Sequence, residues 1–146
     1  MIGLSPDLIW RCRGSVAEIN RDPTNSSEFS IDSRDPIESL RALMAESAMD
    51  DTGDLPPMSA GLFGYFGYDM IRHIEVIPDT NPAVIDTPDS MLVRPSLIAI
   101  FDRLKDSITF VAQIRPAEWD EPQAAWNHAQ DRIAAAFDAL DAPMPP

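Results

Sequence analysis

The sequence predicts an α+β domain, with a mainly antiparallel sheet made of hairpins and a few helices packed against it. Short segments of alternating apolar and polar residues come in pairs separated by turn residues, which is typical of β-hairpins. Helical stripes occur among them, without the regular strand–helix alternation of a parallel sheet. The 146 residues suit one domain, and 45% hydrophobic and 24% charged residues are close to globular averages.

The first predicted element is a hairpin. Residues 8–13 and 16–21 alternate and are rich in β-prone side chains, and Gly14-Ser15 between them fits a two-residue type II′ turn. The polar residues 22–34 that follow predict a connecting loop.

A helix is predicted over residues 36–49. Asp35 is a suitable N-cap, Pro36 takes the first helical position and Glu38 the third. Asp50 to Asp54 end the helix, and Pro56-Pro57 prevents its continuation. The apolar stripe has helical spacing and consists of Ile37, Leu40, Leu43, Met44 and Ala48.

The middle of the chain predicts a strand over residues 61–68, apolar on both alternating faces and therefore buried on both sides. We expect Asp69 to cap a short helix that carries Met70, Ile71 and Ile74. Residues 78–89 contain several prolines and predict a loop.

The last part predicts a second hairpin and a helix. Residues 91–102 and 107–115 form two long strands, and Pro95 in the first indicates a sheet edge or a bulge. In the second strand we expect one face to carry Ile108, Phe110, Ala112 and Ile114. A helix begins near Asp120, and its stripe consists of Trp126, Ala129, Ile133, Ala136, Phe137 and Leu140.

Charge and composition exclude several classes of function. Lys and Arg number 11 against 24 Asp and Glu, a net charge of −13, which disfavours binding to nucleic acid or to an anionic membrane. The single cysteine cannot form an internal disulfide or a cysteine-based zinc site. Apolar runs fall short of the roughly 18 residues of a membrane span, and the start has no basic signal-peptide region. We therefore expect a soluble, cytoplasmic protein.

Residue patterns alone predict no catalytic, cofactor-binding or metal-binding residue. Gly61, Gly64 and Gly67 follow neither a dinucleotide nor a phosphate-loop spacing, and we expect them to permit close packing in a sheet. His73 and His128 have no metal-ligand partner at helical spacing, so we expect surface or boundary side chains. Cys12 alternates with two arginines that lie on the opposite face, which predicts a buried, inert thiol. Single arginines usually pair with nearby carboxylates, and we expect this of Arg72, Arg94 and Arg115.

Three stretches nevertheless resemble a known family. Residues 61–70 (GLFGYFGYDM) resemble the central signature of the N-terminal region of anthranilate synthase component I. Residues 88–95 (PDSMLVRP), continuing into Ile100-Phe101-Asp102, resemble the segment that follows it there, and residues 6–14 (PDLIWRCRG) match the form found in bacterial members. The resemblance covers most of the chain, except for the loops around 22–34 and 76–88 and the tail.

The resemblance implies a role in tryptophan biosynthesis. The family converts chorismate and ammonia to anthranilate and pyruvate, uses Mg²⁺, and receives ammonia from a glutamine amidotransferase subunit. Its Mg²⁺-binding, acid–base and chorismate-binding residues lie in a C-terminal domain with no counterpart here. We therefore expect residues 1–140 to be the N-terminal domain and residues 141–146 the start of the linker to that missing domain. This fragment is expected to be inactive alone and to bind no Mg²⁺.

The domain is predicted to be incomplete at its N-terminus, because the family's Leu-Leu-Glu-Ser element, which contributes to the tryptophan pocket, is absent. Two alternatives remain. Aminodeoxychorismate synthase component I, of the folate branch, shares this N-terminal architecture, although residues 6–14 and 88–95 favour anthranilate synthase. The second alternative is a non-catalytic binding or interaction module derived from this domain.

Overall fold

A computed structural model describes residues 1–49, 53–80 and 85–143. It confirms the α+β class, because six strands form one mostly antiparallel sheet with two α-helices. The strands lie in the order β3-β2-β1-β5-β4, and β6 pairs with β5. The strands are β1 (Ile2–Arg13), β2 (Val16–Asn20), β3 (Ser30–Asp32), β4 (Phe63–Phe66), β5 (Ser90–Asp102) and β6 (Ser107–Ala112), and the helices are α1 (Pro36–Glu46) and α2 (Pro122–Asp141).

The first hairpin is confirmed, with Arg13 opposite Val16 in the β1–β2 register. Gly14 has a φ of +52°, the sign that the first central position of a type II′ turn requires. β1 begins at Ile2 rather than at residue 8. Ser5 has a positive φ of +45°, which is uncommon for a residue other than glycine, and residues 2–5 are exposed, so this part of the strand shows no buried apolar face.

β3 corrects the expected loop over residues 22–34. Ser30 to Asp32 pair with β2, with Ala17 opposite Asp32 and Ile19 opposite Ser30. Three residues are too few to establish a visible alternation, so the sequence pattern did not reveal this strand.

α1 begins as predicted but ends earlier. The Asp35 carboxylate accepts the backbone N–H groups of Ile37 and Glu38 at 2.9 and 3.0 Å, which satisfies two donors of the first turn. The helix ends at Glu46 rather than at residue 49. Leu43 is buried, and Ile37 and Leu40 pack partly buried against the core, whereas Met44 and Ala48 are exposed, contrary to the predicted stripe.

β4 belongs to the predicted sheet, but its expected burial on both sides is wrong. It covers Phe63–Phe66, lies at one end of the strand order, and exposes Tyr65 and Phe66. A 3₁₀ helix, Tyr68–His73, follows, and Gly67 occupies its N-cap position without a side-chain hydrogen bond. The predicted cap, Asp69, instead accepts from Arg72 at 2.9 Å because it already lies inside the first turn.

The β5–β6 hairpin is confirmed as antiparallel, with Leu97 opposite Ala112 and Asp102 opposite Ser107. β6 ends at Ala112 rather than at residue 115. β5 has neighbours on both sides, so Pro95 is not in an edge strand. The part of β5 that pairs with β4 ends at Val93, and the part that pairs with β6 begins at Leu97. Pro95 lies between these two parts, so its missing N–H disturbs neither the β4–β5 nor the β5–β6 ladder.

α2 packs against β6, where the Phe110 and Phe137 rings meet edge to face at 5.1 Å between centroids. The helix begins at Pro122 rather than near Asp120. Its buried residues are Ala125, which the predicted stripe omitted, and Ala129, with Ile133 and Ala136 half-buried. Trp126, Phe137 and Leu140 of the predicted stripe are exposed, although the Phe137 ring still contacts Phe110.

The chain divides into two compact units. One comprises Met1–Ser5, Asp51–Ala60 and Pro95–Pro146, and the other Pro6–Asp50 and Gly61–Arg94. The second unit has a core made of Leu8, Trp10, Cys12, Ala17, Ile19, Leu43, Met70 and Leu92. Among the described residues, no helix combines the length and apolarity that crossing a membrane requires.

Candidate functional site

The three stretches that carry the family resemblance meet in the second unit, and Asp89 connects them. The Asp89 N–H donates to the Cys12 carbonyl at 2.8 Å, and the Asp89 carbonyl accepts the Gly67 N–H at 2.7 Å. The Asp89 carboxylate accepts the Gly14 N–H at 2.6 Å. One residue of 88–95 therefore holds both 6–14 and 61–70 in place.

The signature glycines allow this close approach at two of three positions. A Cβ on Gly64 would overlap the Met91 carbonyl oxygen, and one on Gly67 would lie 2.6 Å from the Asp89 carbonyl oxygen. The prediction of close packing is confirmed for these two. Gly61 differs, since its surroundings are open and its φ of +129° is a conformation that other residues rarely adopt.

The same unit contains a buried arginine. Arg94, only 3% exposed, donates from Nε to Asp7 Oδ1 and from Nη1 to Glu46 Oε1, each at 2.8 Å. Glu46 also accepts both terminal nitrogens of Arg21 at 2.8 Å. The hydrogen bonds from Arg21, and then those from Arg94, lower the Glu46 pKa to about 2 although partial burial opposes the shift.

The arginine predictions therefore hold for two side chains. Arg94 pairs with Asp7 and Glu46, and Arg72 pairs with Asp69 at 2.9 Å and Asp79 at 3.4 Å. For Arg115 the described hydrogen bond joins its Nη2 to Gln113 Oε1 at 2.8 Å.

A polar relay attaches α1 to the sheet. The indole N–H of Trp10 donates to Ser39 Oγ at 3.0 Å, and the Ser39 hydroxyl donates to Asp32 Oδ2 at 2.8 Å. Arg34 donates to both Asp32 oxygens at 2.9 and 2.6 Å, and this pairing is the main reason that the pKa of Asp32 is well below its usual range. The buried indole N–H of Trp10 and the buried hydroxyl of Ser39 are thus both hydrogen-bonded, as is usual for buried polar groups.

Cys12 lies beside a histidine that sequence reasoning did not place there. Its Sγ is 3.6 Å from His73 Nε2 and 3.3 Å from the Gly14 carbonyl oxygen. The predicted burial of Cys12 is confirmed. Burial, reinforced by the negative charge of Asp89, raises the thiol pKa to about 11, so the pair does not form a thiolate nucleophile near neutral pH. Sixty-one residues separate the two side chains, and no local pattern indicates the contact.

We expect Cys12 to be almost unreactive in the folded chain. At pH 8 the thiol is buried and protonated, so Ellman's reagent should label it only as fast as the protein unfolds. The measurement is absorbance of the released thiolate in buffer and in 6 M urea, with free cysteine as control. Labelling in buffer at the rate of free cysteine would show that the site is open.

His73 is half-buried, as expected for a boundary residue, and His128 is exposed with its ring 5.1 Å from that of Trp119. Within residues 1–49, 53–80 and 85–143, no three His, Cys, Asp or Glu side chains form a group able to hold a metal ion. No buried side-chain polar atom in that part of the chain lacks a hydrogen-bond partner.

Known proteins resemble the chain over nearly its whole length. Anthranilate synthase component 1 of Cereibacter sphaeroides is 42% identical over 146 residues, which cover 99% of this chain and 29% of that protein. The Thermus thermophilus protein of the same name is 29% identical and is matched over 86% of this chain and 26% of its own length. No family model matches the chain.

The fold agrees with these relatives. The crystal structure of anthranilate synthase component I from Streptococcus pneumoniae superposes with a TM-score of 0.75 at 22% identity, over 99% of this chain and 29% of that one. The chain thus spans under a third of the length of the proteins that it matches. It belongs to the anthranilate synthase component I family, in which it matches an N-terminal region.

Proposed function

We propose that this chain is the N-terminal part of an anthranilate synthase component I and supports the catalytic part of that enzyme. The whole protein would convert chorismate and ammonia to anthranilate and pyruvate, the first step of tryptophan biosynthesis. The observation that carries the proposal is the 42% identity to the Cereibacter sphaeroides protein across 99% of this chain. The folate-branch enzyme and a separate binding module are the two alternatives that the experiment below addresses.

The proposal divides the work between two parts of the polypeptide. Residues 1–140 would form the N-terminal domain and residues 141–146 would lead to the catalytic domain. A glutamine amidotransferase subunit would supply ammonia to the complete cytoplasmic enzyme. In this proposal the chain contributes the hydrogen bonds of Asp89, which hold the backbone of the three family stretches, and the ion pairs of Arg94 with Asp7 and Glu46.

Magnesium belongs to the other part in this proposal. Mg²⁺ in enzymes is usually held by carboxylates together with substrate oxygens. The described residues present no cluster of three such ligands, and the Asp7, Asp32 and Glu46 carboxylates are each engaged by an arginine. These residues do not fit a magnesium site.

A chimera tests the proposal. The matched region of the Cereibacter sphaeroides protein is replaced with this chain, and anthranilate fluorescence is followed with chorismate, ammonia and Mg²⁺. We expect a rate within about tenfold of the parent enzyme, a cost of roughly 1.4 kcal/mol in the barrier. The 146-residue chain alone should produce no anthranilate, because the oriented groups that lower the barrier lie elsewhere.

Two results would contradict the proposal. A chimera that folds, as judged by a cooperative melt, but makes no anthranilate would favour the binding-module alternative. Anthranilate fluorescence from the 146-residue chain alone, abolished by EDTA, would show that the catalytic residues do not all lie outside this chain.

A further inference from the structure

The outer edge of β4 is a row of backbone groups that no strand of the described residues pairs with. β4 is the last strand in the sheet order and pairs with β5 on one side, from Phe63 opposite Val93 to Phe66 opposite Ser90. No strand within the described ranges pairs with its other side. A strand edge of this kind is a template for another strand.

The register identifies which groups point outward. The Gly67 N–H donates to the Asp89 carbonyl, and these two residues continue the same antiparallel register. Because hydrogen-bonded pairs alternate along an antiparallel ladder, the backbone groups of Tyr65 and Phe63 also face β5. The N–H and C=O groups of Gly64 and Phe66 therefore face away from the sheet.

This edge lacks two of the usual protections. Residues 61–68 include no charged residue and no proline, the two commonest means of discouraging strand addition. The side chains beside the edge are apolar and open, since Phe66 is 57% exposed and Tyr68 84%. The opposite edge of the sheet is different, because β3 ends at a charged residue, the ion-paired Asp32.

We propose that the outer edge of β4 binds a β-strand from the remainder of the component I polypeptide, through the backbone groups of Gly64 and Phe66. This inference rests on the proposed function. More than two thirds of each relative lies outside the matched region, so the full protein has ample chain to supply the strand. A second copy of this chain is disfavoured as the occupant, because each copy carries a net charge of −13.

Hydrogen exchange tests the backbone pairing directly. Exchange at single amides is compared between the 146-residue chain and the Cereibacter sphaeroides chimera, by mass spectrometry with fragmentation of the peptide containing residues 62–68. We expect the Gly64 and Phe66 amides to slow by at least about tenfold in the chimera, because they gain acceptors. The Tyr65 amide, which already faces β5, should exchange slowly in both proteins and provides the internal reference.

A pair of substitutions separates backbone pairing from side-chain packing. Phe66→Pro removes the outward N–H, and proline is tolerated where an edge N–H faces solvent. Phe66→Ala removes the ring and keeps the N–H. In the free chain both variants should melt within a few degrees of one another. In the chimera, Phe66→Pro should lower anthranilate formation at least about tenfold further than Phe66→Ala, since only proline prevents strand addition.

The outcomes distinguish this inference from the proposed function. An inactive chimera with the unmodified chain counts against the proposed function. An active chimera whose Gly64 and Phe66 amides exchange as fast as in the free chain, with equal effects of the two substitutions, overturns the strand proposal alone. Protection of these amides in the free chain that increases with its concentration would assign the edge to a second copy.

Discussion

Replacing Arg94 with methionine is expected to lower the free energy of unfolding by about 2–3 kcal/mol, because hydrogen bonds from a buried guanidinium to two partly exposed carboxylates are lost. The guanidinium is almost wholly buried between Asp7 and Glu46, and methionine fills much of its volume without the charge. The carboxylate of Asp7 would lose the hydrogen bond from Arg94 Nε, whereas Glu46 would retain Arg21. Urea unfolding followed by tryptophan fluorescence gives the difference.

The matched control is Arg13→Met. Arg13 pairs at 2.7 Å with Asp86, but both side chains are open to solvent, so we expect a change of no more than about 0.5 kcal/mol. If the two variants lost a similar free energy of unfolding, burial of Arg94 would not be the reason for its contribution to stability.

Acid should reduce the Arg94 effect. The Glu46 pKa is lowered to about 2 from an ordinary 4.5, so its stabilising contribution is complete above pH 4.5 and disappears as the pH falls towards 2. The gap between the parent chain and Arg94→Met should narrow over that interval, because a protonated Glu46 no longer attracts the guanidinium. An unchanged gap from pH 7 to pH 2 would exclude Glu46 as a significant partner of Arg94.

Replacing Gly64 with alanine is expected to destabilise the chain by about 3 kcal/mol, near the upper end of the usual cost of overpacking. The added Cβ would overlap the Met91 carbonyl oxygen and lie 2.9 Å from Leu92 Cα. Both atoms belong to the backbone of β5, which cannot retreat without disturbing its ladder with β4. The measurement is the midpoint and slope of urea unfolding.

Gly14→Ala separates steric overlap from backbone strain. Gly14 has a φ of +52° and open space around it, so alanine there meets only the conformational cost, about 1–2 kcal/mol. If Gly14→Ala cost more than Gly64→Ala, close approach of β4 to β5 would not be the reason for the glycine at position 64.

Local signals were sufficient for much of the fold. The beginning of α1 follows from Asp35, whose carboxylate meets the first free N–H groups, and the β1–β2 turn follows from Gly14. The start of α1 and the β1–β2 turn each depend on contacts between residues that are only a few positions apart, so the local sequence is enough to predict them. The β5–β6 hairpin is equally local, because its strands are joined by four residues.

The missed features depend on distant parts of the chain. Apolar residues on both faces of β4 indicated burial, but a strand is buried only where other elements cover it, and Phe66 is exposed in this chain. Cys12 and His73 are 61 residues apart, and Arg94 and Asp7 are 87 apart. The family resemblance identified the stretches that matter without revealing that Asp89 joins them.

The contacts of Asp89 also influence the order in which the chain folds. Its carboxylate meets Gly14 across 75 residues, so the loop between them must close before this hydrogen bond exists. α1 and β2 lie inside that loop and β1 directly precedes it, and helices and hairpins of this kind form within microseconds. The joining of the three family stretches is therefore a late event, and contacts of such high sequence separation are typical of domains that fold in milliseconds to seconds. During synthesis, the backbone groups of Cys12 and Gly14 emerge long before Asp89, so these hydrogen bonds can form only after most of the domain has been made.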